Sequence, residues 1–241
     1  MRYDIPPSRR AAIEGSILAV LRGSAEAGVA FFVSPTTALT AARNLRAGGA
    51  TSRFAKTAAC VRPESGGARL VFDVVALEAA LDFAVLRLRA GQPPSPHFLE
   101  LPAAGGFATT ASAPGEKGVF LVTCNIRVAA EAPEAAAVGV AWHHARVVRL
   151  HPQHVLYDAQ AFDGDSGGAL VIARSGVVIG LHRELVNAAR ELLEHKGSAG
   201  ERLNAVEQSV QSLIRGTSFG CMGVRLDCAA AQAALLGDSK R

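Results

Sequence analysis

Phe162-Asp163-Gly164-Asp165-Ser166-Gly167-Gly168 is the stretch of this 241-residue chain whose residue types and spacing point most directly to chemistry. A serine between Gly164 and the pair Gly167-Gly168, followed at once by the apolar run "ALVI", suits a tight turn that feeds a strand. On such a turn the hydroxyl is accessible and nearby backbone N–H groups converge. Those are the needs of a serine nucleophile: a free Oγ, and donors aimed at the oxygen on which charge develops. By itself a plain glycine turn accounts for the pattern equally well. A second stretch, "ALTAARNL" (38–45), is built like the buried end of a strand and yet finishes on the guanidinium of Arg43. A third, "HHARVVRLHPQH", gathers His143, His144, His151 and His154. A strand would set His143 and His144 on opposite faces, which argues against a metal site and for hydrogen-bonded surface histidines.

The elements that must carry these residues read as short strands. Hydrophobic residues make up 49% of the chain, mean hydropathy is +0.22 and aromatics are only 5%, so the core is expected to be Ala, Val and Leu. After a polar lead-in (1–15) broken by Pro6-Pro7, the runs "SILAVL", "GVAFFV", "TALTA", "RLVFDVVAL" and "DFAVLRL" form a first set, ending near 105. A Gly/Pro/Ser/Thr-rich passage, 106–118, reads as a linker. A second set fills 119–187: "VFLVTCNI", "AVGVAW", "HARVVRL", "VLYDA", "ALVIA" and "GVVIGLH". Two groups of short strands across a linker predict paired barrels or sandwiches. Residues 188–241 read as a helical extension packed on them. In it a capping box at Ser198 and Glu201 opens a helix to Arg215 with Leu203, Val206, Val210, Leu213 and Ile214 on one face, before "CMGVRL" and a short Ala-rich helix.

Several function classes fall away. No run approaches the roughly 18 apolar residues of a membrane span, and "MRYDIPPSRRAAIEG" lacks a signal peptide's apolar centre, so a soluble, cytoplasmic chain is expected. Net charge is +4, but the basic residues are scattered without aromatic interleaving, so no nucleic-acid partner is expected. Cys60, Cys124, Cys221 and Cys228 contain no C-x-x-C pair and read as reduced, buried thiols. No metal and no cofactor is called for.

"GDSGGAL" resembles the nucleophile motif of trypsin-like (chymotrypsin-fold) serine peptidases. Three further stretches agree with that family in order and spacing. "GVAFFVSPTTALTAARNL" is similar to the run that ends on its catalytic histidine, "LDFAVLRL" to its aspartate motif, and "GVVIGLH" to the strand lining its specificity pocket. The resemblance covers roughly residues 16–187 and, within the family, is closest to an intracellular, V8-like type. It implies an all-β fold of two six-stranded antiparallel barrels, here followed by C-terminal helices, with a peptide or protein ligand in the cleft between the barrels. It implies Ser166 as nucleophile, Gly164 and Ser166 as donors of the oxyanion N–H groups, and Asp82 as the carboxylate that orients the base. The base itself belongs after Thr40-Ala41-Ala42, where this chain has Arg43.

A guanidinium has five donors and no acceptor, so it cannot take the serine proton or return it to a leaving amine. Beside Asp82 it is expected to form a fork-shaped ion pair. The implied protein is a peptidase relative with impaired or lost catalysis that keeps its nucleophile, oxyanion hole and cleft. The alternative is an active serine endopeptidase with an unorthodox base, or an inactive variant of one, cleaving after Glu or Gln. The resemblance places Gln160 where tryptic enzymes carry the Asp that reads basic side chains, and His182 where acid- or amide-reading relatives carry a histidine. Secreted trypsins satisfy the Asp before the serine with a new apolar N-terminus. No such segment is present, so Asp165 must be satisfied in another way.

Overall fold

The run "ILAVLR" shows how this sequence makes a sheet buried on both sides. In the computed structural model it forms β1 (Ile17–Arg22), in which Leu18 and Val20 point into one cluster of side chains while Ile17 and Ala19 point into another. Alternation of side chains along a strand makes that division automatic. The structure describes residues 5–22, 25–46, 53–63, 69–106, 118–129, 132–186, 204–205, 207–209 and 220–238.

β1 is joined by β2 (Ala25–Phe32), β3 (Thr37–Thr40), β4 (Thr57–Val61), β5 (Arg69–Glu78) and β6 (Phe83–Leu88). They close an antiparallel barrel in the order β1-β2-β3-β6-β5-β4. Its interior is filled by Leu18, Val20, Phe32, Cys60, Phe72 and Leu86 among others. Burying a Leu or Phe of this kind contributes about 1.5–3 kcal/mol each.

The second barrel takes β7 (Val119–Ala129), β8 (Ala132–Leu150), β9 (His154–Asp158), β10 (Ala169–Ile172), β11 (Val178–Leu185) and β12 (Gly220–Arg225). They run in the order β10-β11-β12-β9-β8-β7, also closed. Between the barrels lies a third body of side chains that neither barrel could bury alone, including Val29, Phe31, Leu39 and Phe83 from the first and Val122, Val171, Leu181 and Val224 from the second. The expected pair of six-stranded barrels is therefore present.

Three expectations need correction. The second barrel does not end near 187, because its sixth strand is β12, inserted between β11 and β9. The segments "AVGVAW" and "HARVVRL" are one strand: β8 pairs with β7 continuously from Ala145 back through His144, His143 and Trp142 to Ala137. The backbone ladder is indifferent to the polar side chains that interrupt the apolar run. Residues 1–15 are also more than a polar lead-in. Pro7 opens a helix, α1 (Pro7–Ser16), where its fixed φ and missing N–H suit the first turn. Glu14 accepts from Trp142 Nε1 at 2.8 Å and Arg9 Nη1 donates to the Arg174 carbonyl at 2.7 Å, which ties α1 to the second barrel.

The chain closes with α2 (Ala229–Asp238). The Ser198–Glu201 capping box lies outside the described residues. A reciprocal cap is instead formed by Asn204 and Glu207, whose side chains accept from each other's backbone N–H at 2.9 and 2.8 Å. The linker residues 107–117 also lie outside the described residues. Among the described residues no helix is long and apolar enough to cross a membrane, and the four cysteines are buried and unbonded to one another.

Candidate active site

Arg43 lies in a 3-10 turn, Ala42–Leu45, that leaves the end of β3. The preceding Thr40, Ala41 and Ala42 are buried and fix where the turn begins. Asp82 comes from the opposite side, on the turn that enters β6, and is 7% exposed. Its φ of +58° is the left-handed region, which Asp tolerates better than most residues because its short polar side chain bonds locally. The two residues meet closely. The Arg43 backbone N–H donates to Asp82 Oδ1 at 2.7 Å, and Arg43 Nε donates to Oδ2 at 2.5 Å.

The pair is not the two-pronged fork expected of a guanidinium on a carboxylate. One oxygen of Asp82 is taken by the backbone, and the guanidinium reaches onward so that Nη2 donates to Glu184 Oε2 at 3.2 Å. Glu184 Oε1 in turn lies 3.4 Å from Arg183 Nε. A line of alternating charge, Asp82, Arg43, Glu184, Arg183, thus runs from the first barrel onto β11 of the second.

Ser166 sits on the glycine turn the motif predicts. Gly164 and Gly167 have φ of +99° and +91°, which an L side chain rarely adopts. A Cβ on Gly167 would fall inside the Val29 carbonyl, whereas one on Gly164 would meet open space. The turn is held on the second barrel by Gly167 N–H to the His182 carbonyl and His182 N–H to the Gly168 carbonyl, both 2.8 Å. The Ser166 hydroxyl donates to the Arg183 carbonyl at 3.3 Å. No described histidine hydrogen-bonds it, and the Gly164 and Ser166 N–H groups make no hydrogen bond among the described residues.

The turn is also held from the first barrel. The Ser166 carbonyl accepts from Val29 N–H at 2.8 Å and from Asn44 Nδ2 at 2.7 Å. Asn44, the residue after Arg43, belongs to no motif in the sequence. The one signal available was an amide inside an otherwise buried apolar stretch.

His182 is 2% exposed, and its Nδ1 shares a 2.6 Å hydrogen bond with the Tyr157 hydroxyl. Burial pushes its pKa down to about 3, helped by the nearby charges of Arg43 and His143, so the ring is neutral. Nothing in the sequence marks Tyr157 as more than a strand residue. Gln160 is exposed in the segment between β9 and the serine turn. His143 stands nearer the site than its place in the sequence suggests. Its ring packs edge-on against Phe162 at 5.9 Å, and its field acts on both Asp165 and His182. His144, one residue on, faces outward beside Phe120, as strand alternation requires.

Asp165 is fully buried. Its Oδ2 accepts from Phe162 N–H at 2.7 Å, while Oδ1 has no hydrogen-bond partner among the described residues. Burial raises its pKa. The Phe162 N–H, the adjacent Thr123 hydroxyl and His143 pull the other way. Thr123 Oγ1 is close enough to act on the carboxyl but is itself without a bond of ordinary geometry. Among the described residues no group of His, Cys, Asp and Glu could hold a metal ion.

The fold has close parallels in solved structures. A serine-to-alanine mutant of Rv3671c from M. tuberculosis H37Rv, in an inactive form, superposes with a TM-score of 0.55 at 16% identity, covering 98% of this chain and 94% of that one. The Rv3671c protease, also in an inactive form, gives 0.54 at 17% identity, covering 97% and 94%. At such identities the likeness speaks for the fold alone. No curated protein matches the sequence. Residues 28–181, well over half of the chain, match the family model described as a trypsin-like peptidase domain, and they contain the Arg43 turn, Asp82 and the Ser166 turn. The chain belongs to the trypsin-like peptidase domain family.

Proposed function

We propose that this protein has lost hydrolytic turnover and uses the cleft between its barrels to bind peptide. The observation that carries the reading is Arg43 on Asp82, 2.5 Å from Nε to Oδ2, where the family resemblance expects a proton acceptor. Asp82 then neutralises a cation instead of orienting a base, and among the described residues the Ser166 hydroxyl is left with a carbonyl as its only partner. A carbonyl accepts the hydroxyl hydrogen bond but does not remove the proton at neutral pH. Backbone donors and binding alone leave roughly 10³–10⁴-fold acceleration over water, far below a working peptidase. Gly164 and Ser166 N–H, unbonded among the described residues, are available to receive a ligand carbonyl.

The ligand's defining side chain is Gln or Glu, read by His182. With Nδ1 occupied by Tyr157, only Nε2 is left for a ligand. A neutral imidazole N–H donates to an amide or carboxylate oxygen but offers no charge to offset a buried carboxylate, so Gln is favoured over Glu. Gln160 provides no anion for a basic side chain.

Peptide-library cleavage by this protein, by Arg43→His, by Arg43→His with Ser166→Ala, and by Arg43→His with Glu184→Gln tests the reading. The last variant is included because Arg43→His removes one of the two cations paired with Glu184 and leaves that carboxylate beside the new imidazole. The expected pattern is silence from the parent, cleavage after Gln or Glu by the two histidine variants that keep Ser166, and silence from the alanine variant. Cleavage by the parent defeats the proposal and leaves an active endopeptidase with another base. Silence from all four means that more than the base is missing.

A further inference from the structure

We infer that Asn44 is a positioning residue for the Ser166 turn, an amide clamp through which the first barrel sets the backbone of the second barrel's nucleophile segment. The inference rests on reading that turn as the nucleophile turn, and it needs no assumption about turnover. Asn44 is 5% exposed, an amide between the buried Ala42 and Leu45 of the same turn.

Its amide nitrogen donates to the Ser166 carbonyl at 2.7 Å and to Thr40 Oγ1 at 3.0 Å, with the Val29 carbonyl at 3.4 Å. Thr40 Oγ1 spends its own proton on the Val29 carbonyl at 2.7 Å, so it can only accept from Asn44. Every one of these contacts is to an acceptor, which settles that nitrogen rather than oxygen faces the turn. Two donors from the first barrel, Val29 N–H and Asn44 Nδ2, therefore saturate the carbonyl of Ser166.

Two glycines leave room for the clamp. A Cβ on Gly28 would fall inside the Asn44 side chain, and one on Gly167 would lie 3.0 Å from Asn44 Nδ2 as well as inside the Val29 carbonyl. Gly28, Asn44 and Gly167 are thus three parts of one contact, drawn from β2, the Arg43 turn and the Ser166 turn. The peptide that carries the cleft cation also carries the clamp, so anything that moves the Arg43 turn moves the serine.

Asn44→Asp tests this with little change of shape. With the carboxylate ionised, two acceptor oxygens face the carbonyls of Ser166 and Val29, and the clamp is broken. With it protonated, a single donor returns. Hydrogen exchange corrected for intrinsic rates should show Val29, Gly167 and Gly168 losing protection roughly tenfold at neutral pH, the worth of one such bond. Protection should return at acid pH, while β5 and β6 serve as an internal control and the parent shows no such local swing. In the Arg43→His background the same change should lower kcat with KM little altered. Unchanged protection at the three amides, or an equal loss across β5 and β6, overturns the inference. An inactive Arg43→His protein would count against the proposed function, and the exchange result would still decide the clamp.

Discussion

Asp82 shows what one residue is made to bear. It holds a left-handed φ of +58°, a conformation costing on the order of 1 kcal/mol, and two donors from Arg43 keep it there. Asp82→Asn preserves the local tolerance for that φ and one acceptor for the Arg43 N–H, but removes the charge that pairs with Nε. The expected loss is about 1–3 kcal/mol, the worth of a hydrogen bond to a charged group, measured as a shift of the urea midpoint at unchanged slope. Glu184 gives the contrasting case. Its partner Arg43 has a side chain one-third exposed and the contact is 3.2 Å, so Glu184→Gln should cost under about 1 kcal/mol. A large effect of Glu184→Gln on peptide binding with so small an effect on stability would place that carboxylate in the ligand's path.

Among the elements, β12 decides whether the second barrel exists. Deleting 220–241 removes the strand between β11 and β9, and amides of both neighbours should lose exchange protection while β1 to β6 keep theirs. Full retention of protection in β9 and β11 would make the strand an accessory. The sequence made "CMGVRL" visible as a strand but gave no reason to seat it in a barrel whose previous strand ends at Leu185, because pairing over such a gap leaves no local trace. β4, "TAACV", is hard to see for another reason: it is five residues long and built from small side chains, without the phenylalanines that mark β2 and β6. The site divides along the same line. Ser166, Asp82 and Arg43 were legible because each lies in a short motif of fixed spacing. Asn44, Tyr157 and the reach of Arg43 to Glu184 were not, because each depends on a contact between segments far apart in the chain.

For the molecule as a whole, buried imidazoles set the acid limit. His182 falls from an ordinary 6.5 to about 3 on folding, and His151 and His154 are also lowered, first by burial and then by neighbouring Arg149 and Arg183. In all three the unfolded chain binds protons more readily, so their contribution to stability is complete above the free imidazole pKa and drains away as pH falls below it. Asp165 has the opposite sign, since its raised pKa makes folding cost more as pH rises through the carboxylate range. Stability should thus fall from pH 7 to pH 5, by up to about 1.4 kcal/mol per pH unit for His182 and less for the more exposed pair. Urea midpoints across that range check it, and His182→Asn should flatten the curve. The late arrival of β12 also bears on how the chain acquires its shape. Until residues 220–225 dock, β9 and β11 each present an open row of backbone donors and acceptors, and such edges recruit strands from other molecules. The first barrel closes on segments no further along than residue 88, so it is free to form early. The interval in which one barrel is closed and the other gapes is when this protein is most exposed to aggregation, and refolding yield should fall with concentration for that reason.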